Sequence, residues 1–125
     1  TESEEVTDYK RDAMWETNRE DILEGQKEYM DLFVEYWDNN LTTVFKRKQD
    51  IDVANSVLYL MEHRDNIDNF NKKALYIMIR EMTNSNTQHI TRVVNVMKKH
   101  HVNLQHNYLT TGSIETKYTG SWDNL

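Results

Sequence analysis

The first third of the chain has apolar residues at helical spacing. They recur in steps of three, four and seven residues, at Ile22, Tyr29, Phe33, Tyr36, Trp37, Leu41, Val44 and Phe45. Such spacing places side chains on one face of an α-helix. Thr17 and Glu20 have the S/T-x-x-E arrangement of a capping box, so we predict a long first helix that begins near Thr17.

Three shorter amphipathic segments follow the first helix. A second helix is predicted to begin at Asp50 or Asp52, either of which can cap it. A turn rich in Asn and Asp, residues 65–71, separates this helix from a third one, and a fourth begins at Asn86 or Thr87. The apolar positions of these three helices are Val53, Ala54, Val57, Leu58, Met61, Ala74, Leu75, Met78, Ile79, Met82, Ile90, Val93, Val94, Met97, His101 and Leu104.

These segments together predict an all-α fold with four main helices. A chain of 125 residues suffices for one domain, and 3 Gly with no Pro are too few for a β-sandwich. We expect an acidic tail at 1–16, a helical domain at 17–108 and a C-terminal tail at 109–125. The last two helices, at about 72–106, are joined by a short polar turn, which predicts a helix-turn-helix-like unit with flexible termini outside it.

The net charge of −6 is distributed unevenly along the chain. Residues 1–40 carry 13 acidic and 4 basic side chains, whereas residues 71–106 carry one acidic and six basic side chains. This division indicates an acidic arm joined to a basic surface that attracts an anionic partner. A random distribution of surface charge is the alternative.

The sequence lacks the motifs of the common enzyme and cofactor sites. It has no Cys, no nucleotide-binding glycine loop and no G-x-S-x-G, and its histidines do not share a face at the i, i+4 spacing of helical metal ligands. We therefore expect no enzymatic activity, no cofactor and no metal site. The longest apolar run, residues 74–79, is too short for a membrane helix, and no secretory signal fits. The expected location is the cytoplasm, which is that of the host cell if the protein is viral.

The predicted fourth helix has side chains suited to double-stranded DNA. With its apolar residues buried, a polar set faces outward or flanks that face. Arg can bond guanine, Asn and Gln can bond adenine, and Thr can contact bases or phosphates. The predicted base-reading residues are Gln88, Thr91, Arg92 and Asn95, and Thr87 beside them is also predicted to bind DNA. The predicted phosphate-binding residues are Lys72, Lys73, Lys98 and Lys99.

Residues 74–101, ALYIMIREMTNSNTQHITRVVNVMKKHH, resemble the two-helix reader of small helix-turn-helix proteins, including those of tailed phages. The resemblance implies a non-catalytic DNA-binding protein that regulates transcription or recognises phage DNA. Asn84 stands where this family often has Gly, and Arg80 stands where it favours Ala. The spacing from Met82 to Ile90 is one residue longer than usual. Any antiparallel helix pair with a polar turn is the alternative interpretation.

The first helix has an unusual number of aromatic residues, and the shorter helices are not expected to cover them all. We therefore predict a homo-oligomer, most simply a dimer, because monomers seldom expose large apolar patches. The first helix is predicted to pair subunits, to contact another partner or to clasp the two-helix reader, through Phe33, Tyr36, Trp37 and Leu41. The alternative places Trp37 wholly inside the core of a monomer.

The second function hypothesis is a helical adaptor that binds other proteins. The last five residues, 121–125 (SWDNL), are similar to C-terminal peptides by which phage polymerases and late-transcription coactivators dock on a sliding clamp. This resemblance implies RNA polymerase and a sliding clamp as partners. An acidic residue recurs every four positions from Asp8 to Glu28, and this stripe can bind a basic partner or shield the basic segment.

Overall fold

A computed structural model describes residues 24–118 and 120 of the chain. Four α-helices run from Glu24–Val44 (α1), Lys48–Glu62 (α2), Lys72–Thr83 (α3) and Thr87–Thr111 (α4). A short 3-10 helix, Arg64–Asn66, follows α2, and these described residues include no β-strand. The all-helical prediction and the number of helices are therefore confirmed for this part of the chain. The predicted acidic tail, the capping box and the last five residues lie outside it.

Asparagine side chains mark the boundaries of α3 and α4. Asn71 accepts from the Ala74 backbone N–H at 2.9 Å, and Asn86 accepts from the His89 backbone N–H at 2.8 Å. Each bond satisfies one of the N–H groups that an isolated helix start leaves unpaired. Asn84 ends α3 in the left-handed conformation, with φ of 55°. The prediction that α4 begins at Asn86 or Thr87 is confirmed.

The start of α2 differs from the prediction. The helix begins at Lys48, and its N-cap residue Arg47 makes no side-chain cap bond. The predicted cap at Asp50 or Asp52 is therefore wrong. Asp50 lies in the first turn of the helix, where a carboxylate still complements the helix dipole, and its side chain is directed to α4.

The core lies between α4 and the other three helices, each of which α4 contacts. Its largest fully buried side chains are Trp37, Tyr36, Phe33, Met61, Leu75, Ile79, Ile90, Met97, Leu104 and His100. Aromatic rings of α1 contribute to this core, and Trp37 stacks on Phe45, the residue that follows α1, with ring centroids 5.7 Å apart. Removing this much apolar surface from water is the main stabilising contribution to the fold.

The predicted oligomer interface is buried inside the single chain. Phe33, Tyr36 and Trp37 are all 0% exposed, and Leu41 is 6% exposed. Their placement at an interface with another subunit or partner is therefore wrong, whereas the alternative, packing of α1 on α4, is observed where Phe33 and Trp37 contact His101 and His100. The prediction underestimated how far other helices bury the aromatic face of α1. The last helix, α4, is 25 residues long, and its second half packs against that face.

The chain after α4 is partly packed and does not form a tail from residue 109 onward. α4 continues to Thr111, three residues beyond the predicted end of the helical domain, and ends at Gly112 with φ of 77°. Ile114 then enters the core. The buried side chain of Asn40 on α1 bonds the backbone of this segment at Thr116 and Tyr118. Residues 113–118 therefore lie against α1 and α4.

Candidate nucleic-acid interface

The connection between α3 and α4 is a three-residue turn, Asn84 to Asn86. Its middle residue, Ser85, is buried, and its hydroxyl accepts from the Gln49 side chain at 3.3 Å. Gln49 lies in the first turn of α2. The turn is therefore attached to the beginning of α2, and the loop between α1 and α2 lies at the same end of the molecule.

Asp50 makes a second connection between α2 and α4. Its Oδ1 lies 2.6 Å from Nε2 of His89, and it accepts from the Arg92 guanidinium at 3.1 Å. The side chain of Asp50 is 15% exposed, whereas that of Arg92 is 56% exposed. Arg92 therefore remains accessible from solvent while its orientation is set by the carboxylate.

These contacts create a surface that we call the turn end, which combines the loop between α1 and α2, the end of α3 and the first turns of α4. Its basic side chains, all exposed, are Lys46, Arg47, Lys48, Arg80 and Arg92. Three acidic residues, Asp50, Asp52 and Glu81, adjoin them in sequence. Sequence reasoning missed the first three bases, because their proximity to α4 depends on contacts between distant residues, such as that of Gln49 with Ser85.

The four predicted base-reading residues and Thr87 lie on the outward side of α4 at the turn end. Thr87, Gln88, Arg92 and Asn95 are exposed, and Thr91 is half-buried. The Arg80 guanidinium donates to the hydroxyl of Thr87. The structure therefore brings these five residues together on one helix face and adds Arg80 beside them.

The four predicted phosphate-binding lysines do not lie together. Lys72 and Lys73 are exposed, but they begin α3, about 16 Å along the helix axis from the turn. Lys99 is half-buried. Lys98 is 4% exposed, and this burial contradicts its predicted role as a phosphate-binding residue. The reason is its position four residues after Val94 and three before His101, on the inward stripe of the helix.

The second half of α4 buries two adjacent histidines, each paired with a tyrosine of α1. Tyr36 Oη lies 2.7 Å from Nδ1 of His100, and Tyr29 Oη lies 2.7 Å from Nδ1 of His101. Burial lowers the pKa of His101 to about 4, and burial also raises the pKa of Tyr29. Both groups of this pair are therefore neutral at pH 7.

The Tyr29 hydroxyl lies 2.7 Å from Nδ1 of His101 and donates to the carbonyl oxygen of the same residue at 3.3 Å. Nε2 of His101 has no hydrogen-bond partner among the described residues. The pair is part of the buried core.

Within residues 24–118 and 120, no three His, Cys, Asp or Glu side chains are placed to hold a metal ion. None of the helices in this range combines the length and apolar character that crossing a bilayer requires.

Comparison with known proteins gave no relative for this chain. No family model, no curated protein and no solved structure matches it.

Proposed function

We propose that the chain is a non-catalytic protein that binds double-stranded DNA through the turn end and acts in transcription regulation or in the recognition of phage DNA. One observation carries the proposal. The polar face formed by Gln88, Arg92 and Asn95 stays exposed, and basic side chains from two other elements flank it. Because the fold places these groups together, the interface does not depend on the sequence resemblance alone.

The arrangement supports a docking geometry in which the first turns of α4 enter the major groove. That groove is about 12 Å wide and admits an α-helix. The loop between α1 and α2, residues 45–47, then lies toward the phosphate backbone, where Lys and Arg contribute affinity without sequence information. In this geometry α3 and α4 act as the helix-turn-helix-like unit, with Asn84 in the left-handed position of the turn.

The first test is the salt dependence of binding to random duplex DNA. Each phosphate contact contributes about 0.9 to the slope of log K against log salt concentration. A triple variant, Lys46→Ala, Arg47→Ala and Lys48→Ala, should make that negative slope less steep by up to about 3. The matched control is Lys27→Ala, which removes a charge from α1 about 26 Å along its axis from Val44. Equal slopes in the triple variant and the parent would contradict the proposal.

The second test concerns base reading. Arg92→Ala and Asn95→Ala should each weaken binding to a duplex selected from a random pool by about 1–3 kcal/mol, with helix content unchanged. Lys27→Ala, at the far end of α1, is the matched control for loss of a charge. If both variants bind the selected duplex as the parent does, α4 is not the reader.

A helical adaptor is the second candidate, because the described part of the chain exposes large apolar side chains, namely those of Tyr59, Ile77, Met82 and Leu109. Exposed apolar surface is a common feature of protein partner sites. The salt titration distinguishes the two candidates, since an adaptor should bind duplex DNA weakly at every salt concentration. RNA polymerase and a sliding clamp remain its proposed partners, and the predicted clamp peptide, residues 121–125, lies outside the described part of the chain.

A further inference from the structure

Two arginines of the turn end bond different kinds of acceptor. The Arg80 guanidinium donates to the hydroxyl of Thr87, which is neutral, so this bond leaves the charge of Arg80 uncompensated. Arg92 instead donates to a carboxylate, since its guanidinium lies 3.1 Å from Oδ1 of Asp50. The positive charge of Arg92 is therefore compensated within the chain by a neighbouring negative charge.

The fold fixes this carboxylate beside the exposed guanidinium. Asp50 belongs to α2, whereas His89 and Arg92 lie about one turn apart on α4. Oδ1 of Asp50 also lies 2.6 Å from Nε2 of His89, and most of the Asp50 side chain is covered. The partner of Arg92 is therefore a mostly buried group of another helix that contacts α4 at two positions.

This pairing affects phosphate contacts and base contacts differently. The affinity of a protein for DNA of any sequence comes from cations that neutralise phosphates and release counterions. A guanidinium that is paired with a carboxylate contributes little net charge, because a phosphate only replaces one oxyanion with another.

A base edge is less affected by the pairing, because it recognises directional donors. The bond to Asp50 uses one N–H group of the guanidinium and leaves the others for acceptors on a base. Gln88 and Asn95, on the same exposed face of α4, carry amides that Asp50 does not compensate. The pair should therefore weaken binding to unselected DNA more than binding to a preferred sequence.

We propose that Asp50 is a specificity-determining residue of the DNA site, which suppresses the contact of Arg92 with phosphates and preserves its contact with bases. The inference rests on the proposed function of the turn end. Asp50 acts through Arg92, so it is a positioning residue. Its removal should raise the affinity for random duplex DNA and lower the ratio of selected to random affinity.

The test compares Asp50→Asn with Asp52→Asn, which removes the same charge from the same helix. Asp52 is exposed, and among the described residues its carboxylate has no ion-pair partner. Asparagine keeps an oxygen that can accept from Arg92, so Asp50→Asn removes the charge and retains an acceptor. The ligands are a labelled random-sequence duplex and a duplex selected by the parent from a random pool.

Fluorescence anisotropy measures both affinities over a range of salt concentrations. Asp50→Asn should bind the random duplex about twofold to fivefold more tightly than Asp52→Asn does. Its slope of log K against log salt concentration should be steeper by up to about 0.9, because Arg92 then contacts a phosphate. The ratio of selected to random affinity should fall by a similar factor. A purely structural role of Asp50 would not steepen the salt slope.

The same comparison in an Arg92→Ala background shows whether Asp50 acts through Arg92. Without the guanidinium, Asp50→Asn and Asp52→Asn should change the affinity for the random duplex equally. If Asp50→Asn keeps its advantage in this background, the effect comes from the carboxylate or from its contact with His89, and the proposal is overturned.

The remaining outcomes separate this proposal from the proposed function. If the parent binds duplex DNA and the two asparagine variants bind the random duplex equally, only the role of Asp50 is overturned. A parent that binds no duplex at any salt concentration overturns both.

A second measurement applies if circular dichroism shows that Asp50→Asn does not fold. In heteronuclear NMR of the parent, the Arg92 Nε–H signal should keep its position when the random duplex is added and shift when the selected duplex is added. Equal shifts with the two duplexes overturn the proposal.

Discussion

The two halves of α4 use polar residues in opposite ways. In the first half, Gln88, Arg92 and Asn95 are exposed, and the inward stripe is apolar. In the second half, Lys98, His100 and His101 are buried. One continuous helix thus presents a polar surface at one end and buries polar groups at the other.

The difference shows that polarity alone does not determine which side of a helix faces water. A buried polar group is tolerated when another element supplies a hydrogen-bond partner. Here α1 supplies the hydroxyls of Tyr29 and Tyr36, 72 and 64 residues away in sequence from the histidines they contact. The second half of α4 is therefore part of the core because of what α1 places opposite it.

The largest expected effect lies in the buried half of this comparison. Trp37→Ala should lower the free energy of unfolding by about 3–5 kcal/mol, because Trp37 is fully buried among Phe33, Phe45 and His100. Urea unfolding followed by circular dichroism measures this loss. Tyr59→Ala is the matched control, since this aromatic residue is 50% exposed and its loss should cost about 0.5 kcal/mol or less.

Light scattering on the same proteins checks the corrected position of the aromatic face. The apparent mass of the parent should not depend on Trp37, because the side chain is covered by its own chain. If the Trp37→Ala protein stays folded but has half the apparent mass of the parent, the aromatic residues lie at a subunit interface after all.

Helical periodicity sufficed to predict the four helices and the exposed face of α4, because both depend on local spacing. It could not predict the position of Lys98, since a lysine between two inward positions looks like a flanking surface residue until the fold is known. It also missed Lys46, Arg47 and Lys48 at the turn end. Their proximity to α4 depends on contacts of Gln49 and Asp50 with residues more than 35 positions away.

The second prediction concerns pH. The pKa of His101 is about 4 in the folded chain and about 6.5 in an unfolded one, so the unfolded state binds more protons between these values. The contribution of His101 to the free energy of unfolding should therefore be fully present above pH 6.5. It should decrease by about 3 kcal/mol as the pH is lowered toward 4.

The measurement is a series of urea unfolding curves from pH 7 to pH 4 for the parent and for His101→Phe. The carboxylates titrate in both proteins, so the difference between them isolates His101. The variant should lose about 3 kcal/mol less than the parent over this range. Parallel curves for the two proteins would show that His101 is protonated in the folded state as easily as in the unfolded one.

The third prediction concerns the start of α4, where the exposed half begins. Asn86→Ala removes the bond from the side chain to the His89 N–H and should cost about 1 kcal/mol of stability. Asn86→Asp is the matched control, because its side chain still accepts this bond. If the alanine and aspartate variants unfold at the same urea concentration, the cap makes no measurable contribution.

The smallest effect is expected for the ion pair of the exposed half. Arg92 is more than half exposed, and exposed pairs contribute about 0–1 kcal/mol. A double-mutant cycle with Asp50→Ala, Arg92→Ala and both together should therefore give a coupling energy below about 1 kcal/mol in urea unfolding. The contact of Asp50 with His89 is lost in both variants that lack Asp50, so it cancels in the cycle.

The size of the coupling energy distinguishes two roles of Arg92. A small coupling means that the guanidinium can exchange Asp50 for an outside acceptor at little cost to the fold, as a DNA-reading side chain requires. A coupling above 2 kcal/mol would instead make the pair a structural connection between α2 and α4.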